Sequence, residues 1–240
     1  MKKILLGAIV SAFLLTGCSN VTNSKELKMG EVFNSGKENV SYLIDYSSDY
    51  TEDVDKDSYV DYVIISKKGE TKFYYMEDSD ITLGEVTKMS NDEVKEKALE
   101  LYKNNFNENK NDELSNLKTS IEDHYGVYDR SEKQKFKKRY NELKNKQYLE
   151  PEFEKMNLKV VTDGSGNETK YEKFTFKRQW SGGEYTLPVS VPIYPFDIYD
   201  KKYAGVKSKK ENAYLITEVG DKVEEVVLDS KDDKYVDEVD

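Results

Sequence analysis

The hydrophobic pattern of this chain switches twice. Short apolar runs bounded by turn residues fill residues 40–89, apolar residues recur at helical spacing over 90–150, and a spacing of two returns after Pro151. A chain patterned this way fits neither an all-helical bundle nor an all-β barrel. The expected class is α+β, a β-rich N-terminal part and antiparallel C-terminal β-hairpins flanking a three-helix insert, with the two β parts able to share one sheet.

The first strand is expected over residues 40–46. A hairpin follows over 59–76, turning at Lys67-Lys68-Gly69-Glu70. In YVDYVIIS (59–66) both faces carry apolar residues, which predicts an interior strand buried on two sides. At Ser90-Asn91-Asp92-Glu93 a serine precedes a glutamate by three residues, the capping-box pattern of a helix start. Val94, Ala98, Leu101 and Tyr102 then recur at helical spacing. Two more helices are read from stripes at Leu114, Leu117, Ile121 and Tyr125, and at Phe136, Tyr140 and Leu143, with Gly126 stopping the second and Pro151 lying beyond the third.

After Pro151, strands are expected over 158–162 and 171–180 around the turn composition DGSGNE, and over 185–193 as a third. In that third run Tyr185, Leu187, Val189, Val191 and Ile193 alternate with Thr186, Pro188, Ser190 and Pro192. Proline has no N–H to give a ladder, so Pro188 and Pro192 put this segment at a sheet margin, where they also discourage pairing with another chain. A last hairpin, 213–219 with 223–228 around Gly220-Asp221, is expected to end the fold at residue 229. The acidic residues 230–240 are expected to form a loose tail.

The only cysteine, Cys18, stands in LLTGCSN (14–20). Before it come Lys2 and Lys3, then a mostly apolar run over 4–15 that matches the core of a signal peptide and is too short to span a bilayer. Leu15-Thr16-Gly17-Cys18 resembles the lipobox of bacterial lipoproteins. The resemblance covers residues 1–18 only and implies that 1–17 are a lipoprotein signal peptide, cut so that Cys18 becomes the first residue and carries a diacylglycerol. Burying each CH₂ contributes about 0.8 kcal/mol, so two acyl chains hold a protein on a membrane where one binds marginally. The implied location is the extracytoplasmic face of a cell membrane. Residues 18–39, polar and without a sustained period, are expected to be a lipidated flexible tether reaching at most roughly 70 Å.

An acylated Cys18 leaves the exported part with no thiol, so it forms no disulfide and depends on its core. Without Lys2 and Lys3 it carries 35 basic against 47 acidic residues, a net charge of −12. That excess repels nucleic acid and anionic surfaces overall, and no nucleic-acid partner is expected. No G-x-S-x-G elbow, Walker sequence or G-x-G-x-x-G occurs, and no cofactor is expected.

His124, the only histidine, lacks a second histidine or a free thiol with which to build a zinc site or a Cys-His pair, and is expected to pack or to favour the negative end of its helix. Asp53, Asp55 and Asp57 alternate as in a calcium loop, but Ser58 replaces the turn glycine and Ile64 the bidentate glutamate. DGSGNE fails likewise at Glu168 and Phe174. A solvated acidic loop and a hairpin turn are the expected readings and no metal site is assigned, with weak calcium binding near Asp53 to Asp57 as the alternative. Lys133, Lys135, Lys137, Lys138, Arg139, Lys144 and Lys146 form a basic island on the third helix, expected to be a solvated face beside acidic neighbours. IYPFDIYDKKY (193–203) is expected to be a connection rich in aromatic residues. Tyr194, Phe196 and Tyr199 are its candidate contact residues, since aromatics supply large area at low entropic cost.

No catalytic constellation emerges from these residues. The expected function is a membrane-anchored, non-catalytic extracytoplasmic domain that binds a surface protein, a peptide or a cell-wall component. The competing classes are a surface enzyme working through carboxylates, for which convergent buried acids are the signature, and a small-ligand-binding lipoprotein of a transporter.

Overall fold

A computed structural model describes residues 21–45, 53–76, 79–122, 126–166, 168–178, 182–210 and 212–239. In chain order the elements are β1 (Glu26–Leu27), α1 (Met29–Asn34), β2 (Asn39–Asp45), β3 (Tyr62–Lys67), β4 (Glu70–Tyr75), α2 (Leu83–Thr87), α3 (Asn91–Glu122), α4 (Arg130–Asn145), β5 (Glu154–Lys155), β6 (Asn157–Thr162), β7 (Thr169–Lys177), β8 (Glu184–Val189), β9 (Val191–Ile198), β10 (Lys201–Lys207), β11 (Ala213–Val219), β12 (Glu225–Val226) and β13 (Glu238–Val239). The fold is α+β.

Seven strands form one antiparallel sheet in the order β5-β4-β3-β2-β11-β10-β9, so the N- and C-terminal β parts share it. A four-stranded sheet, β13-β6-β7-β8, covers one face, and α2 and α3 cover the other. The central sheet is thus buried on both sides. Alternation along β3 divides its side chains accordingly: Tyr62 and Ile64 enter the core between the sheets, while Val63 and Ile65 enter the core beneath the helices. Between the sheets Phe73 stacks on Phe176 at 5.1 Å, and Phe33 packs on Phe174 at 5.5 Å.

Residues 21–39 are not a tether. A 3-10 turn, Val21–Asn23, leads into β1 and α1, and Leu27, Met29, Val32 and Phe33 are fully buried between the sheets. Each of these elements is six residues or shorter, so no period accumulates, yet four apolar side chains suffice to plug the sandwich. The acidic end is likewise ordered up to Val239: β13 pairs in parallel with β6, and the Asp237 N–H donates to the Leu158 carbonyl at 2.8 Å. Among the described residues the insert has two main helices rather than three. Residues 91–122 run as one helix because the polar stretch after Phe106 contains no glycine or proline to stop it. Gly126 takes φ +68° before α4, which starts at a capping box between Asp129 and Glu132.

The segment 185–193 divides at Ser190 into two strands of different sheets. β8 is the margin of the small sheet and β9 that of the large one, so both prolines do lie on margins. The expected final hairpin does not form. β11 lies inside the large sheet between β2 and β10, and the chain after Gly220 crosses to pair β12 in parallel with β1.

Candidate functional site: an aromatic sheet margin

IYPFDIYDKKY is not a connection. It is most of β9, its turn and the start of β10. Phe196 pairs with Tyr203 and Ile193 with Gly205, so Tyr194 and Pro195 together stand opposite Ala204 in a β-bulge. The extra residue turns Tyr194 outward, where it is 71% exposed. Phe196 goes the other way: half-buried, it packs on the core under the helices with its ring 6.2 Å from that of Tyr203. It supports the margin from the core side and is less exposed than Tyr194.

Tyr199 occupies the β9–β10 turn at φ +55°, a conformation that disfavours bulky side chains. Its neighbours hold it there. Its hydroxyl lies against Gly84 of α2, where a methyl group would stand only 3.2 Å away, and the Lys88 ammonium lies 5.0 Å from its ring centre. Gly84 in turn donates its N–H to the Lys56 carbonyl at 2.7 Å, which ties the 53–58 loop to the same corner. Tyr199 is nonetheless 55% exposed. Tyr59, one residue beyond this loop and bridged to Thr82, is a third exposed tyrosine that sequence reasoning placed in a strand.

The other candidates resolve differently. In the 53–58 loop the Asp55 carboxylate accepts the Asp57 N–H at 2.8 Å, and Asp53, Asp55 and Asp57 are exposed. The Asp163 carboxylate likewise accepts from Ser165. Among the described residues no cluster of His, Cys, Asp or Glu is placed to hold a metal ion. On α4, Arg139 bonds Glu113 of α3 at 2.6 Å and Lys138 reaches Glu142 at 3.8 Å. Cys18 and His124 lie outside the described residues. Compared with protein-family models, curated proteins and solved structures, the chain matches none.

Two convergent buried acids are present, and sequence reasoning did not single them out. Glu172 of β7 and Asp229 are both fully buried, and the Asp229 N–H donates to the Glu172 carboxyl. Asp229 also accepts from the Gly30 N–H at 2.9 Å and from the Tyr235 hydroxyl at 2.6 Å. Burial, then the Asp229 charge, pushes Glu172 well above its ordinary range, and burial pushes Asp229 up to about 6. Asp229 has the donors that favour a carboxylate, whereas Oε2 of Glu172 has no partner among the described residues, so Glu172 is the member that keeps its proton. Beside them, burial raises Asp233, but bonds from Lys28 and the Ser230 N–H outweigh it and hold Asp233 low.

This pair ties α1, β7 and the C-terminal segment together. A methyl group built on Gly30 would stand 2.4 Å from the Tyr235 ring and 2.7 Å from Asp229, so α1 packs closely against the pair at this position. A cavity of about 1210 Å³ does open elsewhere, between Lys72, Glu150, Glu152, Glu154, Lys177 and Arg178. Its four glutamates, Glu150, Glu152, Glu154 and Glu184, are exposed, and Glu150 reaches Lys72 at 3.4 Å.

Proposed function

We propose that this chain is a lipid-anchored, extracytoplasmic binding domain. It contacts a surface protein, peptide or wall component through the margin of the large sheet. The anchor rests on residues 2–18 of the sequence. The contact surface rests on one observation: Tyr194 and Tyr199 are held exposed on a rigid strand and turn, by a bulge and by packing on Gly84, rather than folded over the core. Rigid, exposed tyrosines supply contact area without the ordering cost of a loose loop.

The anchor and the fold lie close together. Cys18 precedes Val21 by three residues, at most roughly 10 Å of chain. The Val21–Asn23 turn packs at the end of β11, where the Gly220 N–H donates to the Thr22 carbonyl at 2.7 Å. Lys202 pairs with Val219, so the Tyr199 turn is at that same end of the sheet. The tyrosine margin therefore stands beside the bilayer, within reach of partners that are themselves held at the surface.

Metabolic labelling of the full-length chain with an alkyne fatty acid tests the anchor: label in the membrane fraction, lost in C18S, is expected. A photoreactive residue at position 194, with position 127 as an exposed control (Val127 is 70% exposed), tests the surface. Cross-linking in intact cells from 194 and not from 127 is expected. Equal yields, or none from 194, would refute it.

A further inference from the structure

We propose a second site, for a phosphate group, at the opposite end of the large sheet. A cavity of about 570 Å³ there is lined by Lys170, Lys173, Lys209 and Lys210, with Tyr171 and Ser190 between them. Among the described residues no aspartate or glutamate lines it. That composition is unexpected in a chain whose net charge is −10, in which many lysines sit within 4.0 Å of a carboxylate, as Lys25, Lys72, Lys95, Lys155 and Lys201 do. Among the described residues none of the four cavity lysines is in an ion pair; the Lys173 ammonium lies 5.6 Å from the Tyr171 ring centre instead.

The lysines arrive from two directions. Lys170 and Lys173 come from β7 of the small sheet, Lys209 and Lys210 from the turn between β10 and β11 of the large one. The Ser190 N–H bonds the Lys207 carbonyl at 3.0 Å and the Ser208 N–H the Ala213 carbonyl at 2.8 Å, which fixes the cavity at the junction of the two sheets. Four lysines lining one cavity with no acid among its described lining make it a place that favours an oxyanion. Lysine serves as a point-charge binder of phosphate, accepting varied geometries. A monoester, a diester or free phosphate shares this chemistry.

The position selects the source. β11 is seven residues long, so the cavity at its Ala213 end lies roughly 23 Å from its Gly220 end. If the anchoring proposed above holds, the cavity faces away from the bilayer, toward soluble or wall-borne phosphodiesters rather than lipid headgroups. The site itself stands on the cavity alone.

The test uses residues 19–240, which contain every described residue. Calorimetric titration at low salt is run with inorganic phosphate and with poly(glycerol phosphate), and co-sedimentation with phosphatidylglycerol vesicles is run alongside. Saturable heat with either phosphate probe is expected. It should disappear in K170Q/K173Q/K209Q/K210Q, whose melting temperature matches wild type, and persist in K133Q/K137Q/K138Q. No heat with either probe, equal loss in both variants, or binding to vesicles alone would overturn the proposal. Failure of acylation at Cys18 would leave the titration unaffected, so the two readings fail separately.

Discussion

Replacing Asp229 with asparagine is expected to raise stability relative to wild type as pH rises. Burial lifts the Asp229 carboxyl from 3.8 to about 6. Across that window the folded chain holds a proton that the unfolded chain has released, so stability is greatest below pH 3.8 and falls until about pH 6. Each pH unit of the window is worth about 1.4 kcal/mol, giving a loss of about 3 kcal/mol in wild type. Asparagine removes this titration from both states. It also loses one acceptor, toward either the Gly30 N–H or the Tyr235 hydroxyl, but that cost does not change with pH. The gap between wild type and D229N should therefore close, or reverse, by about 3 kcal/mol between about pH 4 and about pH 7. Glu172, lifted by burial and then by the Asp229 charge, adds to the effect with the same sign. For a domain of this size the change corresponds to roughly 6–12 °C in relative melting temperature. Urea unfolding of residues 19–240 at four pH values, followed by tyrosine and tryptophan fluorescence, measures it. Parallel stability profiles for the two proteins would show that the pair does not titrate in this window and would refute the reasoning.

Three further substitutions probe the architecture. Phe33→Ala is expected to cost about 3–5 kcal/mol in urea unfolding, because Phe33 is fully buried against Phe174 and Phe176; a silent substitution would return this segment to a tether. Gly205→Ala puts a methyl group 2.0 Å from the Leu215 carbonyl oxygen inside the central sheet, and loss of soluble folded protein is expected by gel filtration. Asp129→Ala removes the N-cap of α4 and is expected to lower stability by about 1 kcal/mol, seen as a lower melting temperature in circular dichroism.

How much of this was legible depended on whether a signal repeated. β3, β4, β6 and β7 were readable because each carries at least two turns of the alternation between recognisable turns, and the edge placement of β8 and β9 followed from the missing N–H of Pro188 and Pro192. α1 and β1 were not readable, since two to six residues hold too little pattern to separate a packed segment from a linker. The break at Ser190 was invisible for another reason: alternation continues across it, and only long-range pairing sends the two halves to different sheets. At the candidate margin, composition pointed to Tyr194 and Tyr199, but not to the bulge that turns Tyr194 out or to Gly84, whose missing side chain lets Tyr199 sit where it does. Glu172 and Asp229 stand 57 residues apart and look like any other acids of an acidic chain.

The loss of the tether changes what an anchor at Cys18 would do. A flexible linker of that length would let the domain turn freely and sweep a volume above the membrane. With Val21–Asn23 packed at Gly220, and Leu27 to Phe33 packed between the sheets, the packed part of a domain acylated at Cys18 would begin three residues after the anchor, which would narrow its orientation. The buried acids contribute to the same end. Asp229 grips the Gly30 N–H of α1 while Glu172 holds the Asp229 N–H from β7, so the network joins the first helix, the small sheet and the C-terminal segment. Loosening that joint by raising pH weakens the fold beside the lysine-lined cavity, since Glu172 stands between Tyr171 and Lys173 on β7. A domain anchored this way would present its tyrosine margin and its lysine-lined cavity at opposite heights, which a freely swivelling one could not.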